Sequence, residues 1–267
     1  TIAELESSPG PVMFVADDES LESSYYDRLV GNYIDRSGCR VLVTRSMWRL
    51  YAFDACSRMW RGLERDAGLR WRGGDTVIDA DGKTAYRFES ADAPSGDTDA
   101  GEIVSLRIEH PGAAPRAMTA LPKHRREQVE FISRGVRLRG ELLLPGATGG
   151  RLSPGVVLIH GSGPQDRHGY ASIMALIAER FVQAGFAVLS YDKRGVGSSE
   201  GDLASAGFDV LGADAQAGLA YIRNYAGVDP GNVGFSGSSQ AGWVAAGAIR
   251  DGAEPAFTLL IGAAGSA

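Results

Sequence analysis

The residues best suited to chemistry lie late in the chain. A short apolar run, Asn232–Phe235, leads into Ser236-Gly237-Ser238-Ser239-Gln240-Ala241-Gly242-Trp243 and on into a helical stretch over Gln240–Ile249. A serine flanked by small residues at a strand-to-helix turn is the pattern of a nucleophile elbow. Such a turn is strained, so the positions two before and two after the serine must be small. Ser239 has Gly237 and Ala241 there, and Ser236 has Gly234 and Ser238. Ser238 would have Ser236 and Gln240, and the long Gln240 side chain counts against it. The turn also opens a helix, whose free N–H groups favour a developing anion. Ordinary turn chemistry accounts for a Gly/Ser-rich stretch equally well, so the elbow needs support from elsewhere in the chain.

Two other loops supply it. Val157-Leu158-Ile159-His160-Gly161-Ser162-Gly163-Pro164 is an apolar strand ending in His-Gly and small residues. An oxyanion hole needs such a loop, which presents a backbone N–H with no side chain in the way. The donors would be the amide of Gln240 and that of Ser162 or Gly163, with Gly161 keeping the loop slim. His160 reads as a residue that orients the loop and not as a general base. The Gly-x-Gly is not a phosphate loop, because neither GxGxxG nor GxxxxGK[ST] is completed. The third loop is Tyr191-Asp192-Lys193-Arg194-Gly195-Val196-Gly197-Ser198-Ser199. Asp192 and Arg194 are expected to hydrogen-bond the first loop and shape the floor of the site; direct contact with substrate is the rival role.

The elements that must position these loops alternate. Gln128–Ser133 and Val136–Leu144 read as a hairpin around Arg134-Gly135. After it come a buried strand Val156–Ile159, a helix Ala171–Ala184, a strand Ala187–Ser190 and a helix Val210–Tyr225. The strand Asn232–Phe235, the helix Gln240–Ile249 and the strand Ala256–Ile261 follow. Short continuous apolar runs are those of buried parallel strands, and strand–helix alternation implies helices on both faces of the sheet. Active-site loops of such sheets lie at the strand ends, where all three loops fall. Residues 31–124 have a different grammar. Short alternating segments such as Cys39–Thr44, Trp48–Phe53, Ala85–Phe88 and Ile103–Ile108, with a turn at Asp81-Gly82, predict a small antiparallel β-rich domain. Residues 46–66 also permit a helix, since Met47, Tyr51, Ala55, Met59 and Leu63 fall four apart. Asp92–Gly101 has loop composition, and Pro111–Pro122 reads as a linker. The division expected is an N-terminal segment over 1–30, the β-rich domain and linker over 31–124, and an α/β domain over 125–267.

With the motifs in order, a resemblance emerges. HGSGPQDR at His160–Arg167, YDKRGVGSS at Tyr191–Ser199 and GSSQAGW at Gly237–Trp243 resemble α/β-hydrolase-fold serine hydrolases. The dienelactone-hydrolase and prolyl-oligopeptidase-like esterase branch is the most similar, over roughly Arg125–Ala267. The resemblance implies an α/β-hydrolase core, a mostly parallel sheet incomplete at its C-terminal end and preceded by the β-rich domain. It implies Ser239 as nucleophile, the Ser162 and Gln240 amides as oxyanion hole, and esterase, thioesterase or peptidase-like acyl transfer through an acyl-enzyme on a small-molecule ester or acyl substrate, with no cofactor or metal. The elbow departs from the family pattern only in having Ala241 where glycine is usual.

The rest of the triad does not follow. In this fold the acid and histidine come after the serine, yet His110, His124, His160 and His168 all precede Ser239. The 28 residues after it hold only Asp251 and Glu254 as carboxylates, both before the last strand. Three accounts stand: a cleaved precursor whose companion chain completes the sheet, a chain that stops short, or a natural fragment that recruits His124 or His168. The rival function is a catalytically inactive hydrolase-like module for binding or scaffolding.

Composition narrows the partners. Charged residues make up 22% and hydrophobic ones 44% of 267 residues, the balance of a folded protein. The net charge of −6 argues against nucleic acid, although Asp35–Arg72 interleaves nine arginines with aromatics. No run of about 18 apolar residues predicts a membrane span. Cys39 and Cys56 could form one bridge in an exported protein or remain two thiols, leaving a cytoplasmic and an exported location both open.

Overall fold

A computed structural model describes residues 25–46, 49–74, 83–91, 101–146 and 149–263. Its first part is a closed antiparallel barrel of eight strands: β1 Gly31–Ile34, β2 Arg40–Ser46, β3 Arg49–Asp54, β4 Met59–Ala67, β5 Arg70–Gly74, β6 Ala85–Ser90, β7 Ile103–Glu109 and β8 Arg116–Ala120. Each strand pairs with the next, and β8 returns to β1 at Tyr33–Ala120. Side chains alternate along the strands, so every second residue points inward. Tyr33, Leu50, Trp71, Tyr86, Phe88, Leu106 and Met118 fill the interior and leave a packed core. Full burial of side chains of this size contributes roughly 1.5–3 kcal/mol each. Closure also removes the free strand edges that a small open sheet would expose.

Several expectations change here. The stretch expected as a linker, Pro111–Pro122, contains β8, the strand that closes the barrel. The helix alternative for 46–66 gives way to β3 and β4. A spacing of four is even, so residues four apart share a face of a strand as well as of a helix. Residues 25–29 form a helical turn, and Leu29 packs fully into the barrel core, which places this end of the expected 1–30 segment with the barrel. The Asp81-Gly82 turn, and the Asp92–Gly101 loop except for Gly101, lie outside the described residues. Cys39 and Cys56 are joined in a disulfide that ties the start of β2 to the β3–β4 turn.

The second part is a six-stranded sheet of β9 Arg125–Ser133, β10 Val136–Leu144, β11 Ser153–Ile159, β12 Ala187–Tyr191, β13 Val228–Ser238 and β14 Thr258–Ile261, in the order β14-β13-β11-β12-β10-β9. The four strands from β14 to β12 are parallel, whereas β10 and β9 run antiparallel at one edge. The sheet is thus mixed, with its parallel part where the three loops emerge. Helices cover both faces. Helix α1, Ile173–Gln183, packs Met174, Ala178 and Val182 against Leu143, Val156, Leu158 and Val188. Helices α2, Phe208–Arg223, and α3, Ala241–Arg250, cover the other face. They bury Leu211, Ala215, Leu219, Val244 and Ala248 against Phe131, Val157, Leu189 and Phe235. The 3–4 spacing of those apolar residues makes a single stripe on each helix.

The barrel wall meets the sheet domain along α1. Asn32 Nδ2 donates to Glu179 Oε1 at 2.6 Å and His124 Nε2 lies 3.0 Å from the same oxygen. Gln183 Nε2 adds a bond of 3.0 Å to Glu179, while Arg126 pairs with Glu141 at 2.7 Å. Leu42, Phe53 and Ala55 of the barrel border a narrow cleft with Arg180 and Gln183.

Candidate active site

The elbow sits between β13 and α3. Ser239 is the residue at the tip, exposed and with φ 54°, a left-handed conformation that costs a non-glycine residue of order 1–3 kcal/mol. Its amide donates to Ile261 O at 3.1 Å, and its carbonyl accepts from the Gly242 amide, fixing the turn on both sides. A Cβ added at Gly237 would lie 2.4 Å from the Ala241 Cβ and 2.5 Å from Ile159 O. Glycine two residues before the tip is therefore a steric requirement. Ser236, the rival serine, is fully buried in β13 with its hydroxyl unpartnered, and Ser238 is the last residue of that strand.

The first loop lies against this turn. A Cβ at Gly161 would come within 3.6 Å of Ser238 O. Gly163 has φ +76° and Ser162 is exposed at the loop tip. Among the described residues, the amides of Ser162, Gly163 and Gln240 donate to no protein acceptor. Three carbonyls of the same loop are engaged. Lys193 Nζ donates to Gly161 O at 2.9 Å, to Gly163 O at 3.0 Å and to Gln240 Oε1 at 2.9 Å, and Gln165 Nε2 donates to Ser162 O at 2.6 Å. Lys193 is 4% exposed, and burial pulls its pKa down to about 8.

His160 lies beneath the loop, 2% exposed, with its ring edge-on to Tyr191 at 5.0 Å between centroids. Burial first, and the neighbouring Lys193 charge second, lower its pKa to about 4, so it is neutral at physiological pH. Asp192 reaches the first loop as expected. It accepts from the Arg167 backbone at 2.8 Å, from the Arg167 guanidinium at 2.9 and 2.6 Å, and from the Ser198 amide at 2.9 Å. Arg194 turns elsewhere: its guanidinium pairs with buried Asp214 of α2 at 2.5 and 3.0 Å and bonds Ser133 O. Its partner carboxylate is 20 residues away on a helix, beyond what a loop motif reveals. Sequence reasoning likewise passes over Gln165, which bonds within its own loop, and Lys193 and Arg167, whose partners lie on other loops. The one available signal was that Lys193 stands inside a motif in a chain with only three lysines.

The histidines have other occupations. His168 Nδ1 is 3.3 Å from Asp166, His124 meets Glu179, and His110 Nδ1 meets Thr84 Oγ1 at 3.0 Å. Asp54 lies beside Cys39 and Cys56, but sulfurs joined in a disulfide are not thiolate ligands for a metal. An open groove lined by Phe131, Ile132, Tyr221 and Tyr225 takes no residue from the three loops.

Comparisons with known proteins bear on the second part of the chain. The profile of the X-Pro dipeptidyl-peptidase (S15 family) matches residues 134–267. A search of curated proteins found no match. Among solved structures, the chain is similar to the α/β hydrolase GrgF from Penicillium sp. sh18, at 24% identity and a TM-score of 0.45 over 54% of this chain and 46% of that one. It is also similar to the hypothetical protein PA2218 from Pseudomonas aeruginosa, at 25% identity and a TM-score of 0.45 over 52% and 43%. For the esterase Pf2001 from Pyrococcus furiosus the values are 24%, 0.38, 46% and 45%. The chain thus spans about half the length of these structures. With half of its residues under the family profile, the chain belongs to the X-Pro dipeptidyl-peptidase (S15) family.

Proposed function

We propose that the chain carries the nucleophile and oxyanion hole of a serine hydrolase acting on a carboxylic ester or related acyl bond of a small molecule. Ser239 Oγ attacks the carbonyl carbon, and its proton passes to an imidazole. The amide of Gln240, with that of Ser162 or Gly163, receives the oxyanion of the tetrahedral intermediate. Collapse expels the alcohol or amine, which takes the proton from the imidazolium. Water then hydrolyses the acyl-enzyme by the same steps, and no cofactor takes part. The carrying observation is an exposed serine in a left-handed turn, beside three backbone amides that have no acceptor among the described residues.

The histidine and its orienting acid come, in this reading, from a C-terminal segment or companion chain that pairs beyond β14. Two observations support it. The four histidines are held by Asp166, Glu179, Thr84 and the core beneath the first loop. The strand β14 is exposed along its whole length. The same histidines favour the second reading, an inactive module that binds without hydrolysing.

The test is to treat the native full-length protein with a fluorophosphonate and map the adduct by mass spectrometry. A single adduct on Ser239, absent from Ser239→Ala, is the expected result. No adduct in the wild type, together with no esterase activity, leaves the binding module as the function. An adduct that survives Ser239→Ala overturns the choice of nucleophile.

A further inference from the structure

Among the described residues, the ammonium of Lys193 is the one charged group that touches both halves of the proposed oxyanion hole. It donates to Gly161 O, Gly163 O and Gln240 Oε1, which uses all three of its N–H bonds. A neutral amine would turn a lone pair toward one of these oxygens, so the arrangement fits only the charged form. The consequence lies in the geometry of the peptide unit. In a planar trans peptide the C=O and the following N–H point in opposite directions. A Gly161 carbonyl turned inward to Lys193 therefore turns the Ser162 N–H outward. Gln165 does the same for the next unit, since its hold on Ser162 O directs the Gly163 N–H away. The third carbonyl, Gly163 O, belongs to a peptide whose nitrogen is Pro164, so this unit offers no competing donor. The bond to Gln240 Oε1 fixes the loop against the residue that follows Ser239, and so sets the separation of the two donor amides.

We propose that Lys193 is a positioning residue of this hydrolase, one that acts through the Gly161 carbonyl to aim the Ser162 amide at the oxyanion and through Gly163 O and Gln240 to hold the loop in place. The assignment rests on the reading of Ser239 and the three amides given above. Lys193 itself touches no reacting atom. Its charge faces the same side of the loop as neutral His160, with the Asp166 and Asp192 carboxylates nearby, and these accompany the ammonium without replacing its three bonds.

The experiment compares wild type, Lys193→Met, Lys193→Arg and Ser239→Ala as full-length native protein. It reads the rate of fluorophosphonate labelling and the kcat and KM of a short-chain p-nitrophenyl ester. Circular dichroism and thermal melting establish which variants are folded. Lys193→Met removes all three bonds. Lys193→Arg keeps the charge and serves if the methionine variant fails to fold, because a planar guanidinium cannot converge three bonds from one nitrogen. The expected result is a fall in labelling rate and in kcat of about 10- to 100-fold, below the roughly 10²–10³-fold loss that follows outright removal of an oxyanion donor, with KM within about twofold. A merely structural lysine would alter melting and leave kcat in place. Folded Lys193→Arg or Lys193→Met with wild-type kcat and labelling rate overturns the assignment of Lys193 alone. A wild type that is not labelled, or a Ser239→Ala variant that is, overturns the underlying reading and this inference with it.

Discussion

At the scale of single residues, the elbow and the loop beside it depend on two positions with opposite demands. Gly237 must be small, because a methyl group there would press on Ala241 and on the Ile159 backbone at once. Gly237→Ala is expected to cost about 1–3 kcal/mol, the usual penalty for overpacking, and to slow labelling of Ser239. Chemical denaturation together with the labelling rate checks both, and unchanged stability would show that the turn can relax. Asp192 must be charged. Burial alone would raise its pKa, but the Arg167 guanidinium and the Arg167 and Ser198 amides outweigh burial and hold it below the usual carboxylate range. Asp192→Asn leaves the buried Arg167 charge without its partner, a loss of about 3–5 kcal/mol at pH 7. A carboxyl whose pKa is lowered on folding contributes in full above its unfolded value near pH 4, and the contribution fades as pH falls through the folded value. The stability difference between wild type and Asp192→Asn should therefore be constant from pH 7 to 5 and shrink below about pH 4. Urea unfolding across that range measures it, and a difference independent of pH would remove the charge from the explanation.

At the scale of elements, the alternating helices and strands after residue 125 could be read from the sequence because each element buries an uninterrupted apolar stripe or run. Val156–Ile159 and Ala187–Ser190 fall inside β11 and β12, and the helix expected over Val210–Tyr225 is α2 at Phe208–Arg223. The tight turn at Ser239 is legible for a different reason, because the steric demand on Gly237 and Ala241 is local. What stayed hidden depends on partners far along the chain. Arg116–Ala120 reads as linker between two prolines, and only its pairing with Gly31–Ile34 and Ile103–Glu109 makes it a strand. Arg194 reads as a loop residue until Asp214 is brought beneath it by α2. The seam between barrel and sheet is of this kind too. Glu179 on α1 is buried and takes bonds from Gln183 of its own helix and, across the seam, from Asn32 of β1 and His124 of the β8–β9 connection. Glu179→Ala leaves these donors unsatisfied at about 1–3 kcal/mol for the cluster. It should raise hydrogen exchange in both β1 and α1. Faster exchange in α1 alone would mean that the seam does not couple the two parts.

At the scale of the whole molecule, the barrel and the sheet stand in contrast at their edges. The barrel is closed and further fastened by the Cys39–Cys56 bridge. A closed loop of this length contributes about 3 kcal/mol by restricting the unfolded chain, so reductant should lower the melting temperature of the wild type and leave that of a Cys39→Ser/Cys56→Ser variant unmoved. The sheet is open at β14, and the composition of that strand is wrong for an edge. Leu259 and Ile261 point to one face and Leu260 to the other, and all three are exposed, at 50, 55 and 37%. Apolar residues on both faces are the mark of an interior parallel strand, whereas a strand that ends a sheet usually carries charge or proline. Trp243 of α3 and Phe208 of α2 meet edge to face, and both are exposed. A chain carrying this edge without cover should associate with itself. Sedimentation of these 267 residues expressed alone is expected to show oligomers at micromolar concentration. A Leu259→Lys/Ile261→Lys variant should sediment as a monomer with an unchanged circular dichroism spectrum. Because the Ser239 amide bonds Ile261 O, whatever covers β14 also steadies the elbow. A segment supplied to cover this edge in the wild type should therefore dissolve the oligomers and speed fluorophosphonate labelling together. If the wild type is a monomer, β14 tolerates water, and completion of the site must be sought away from this edge.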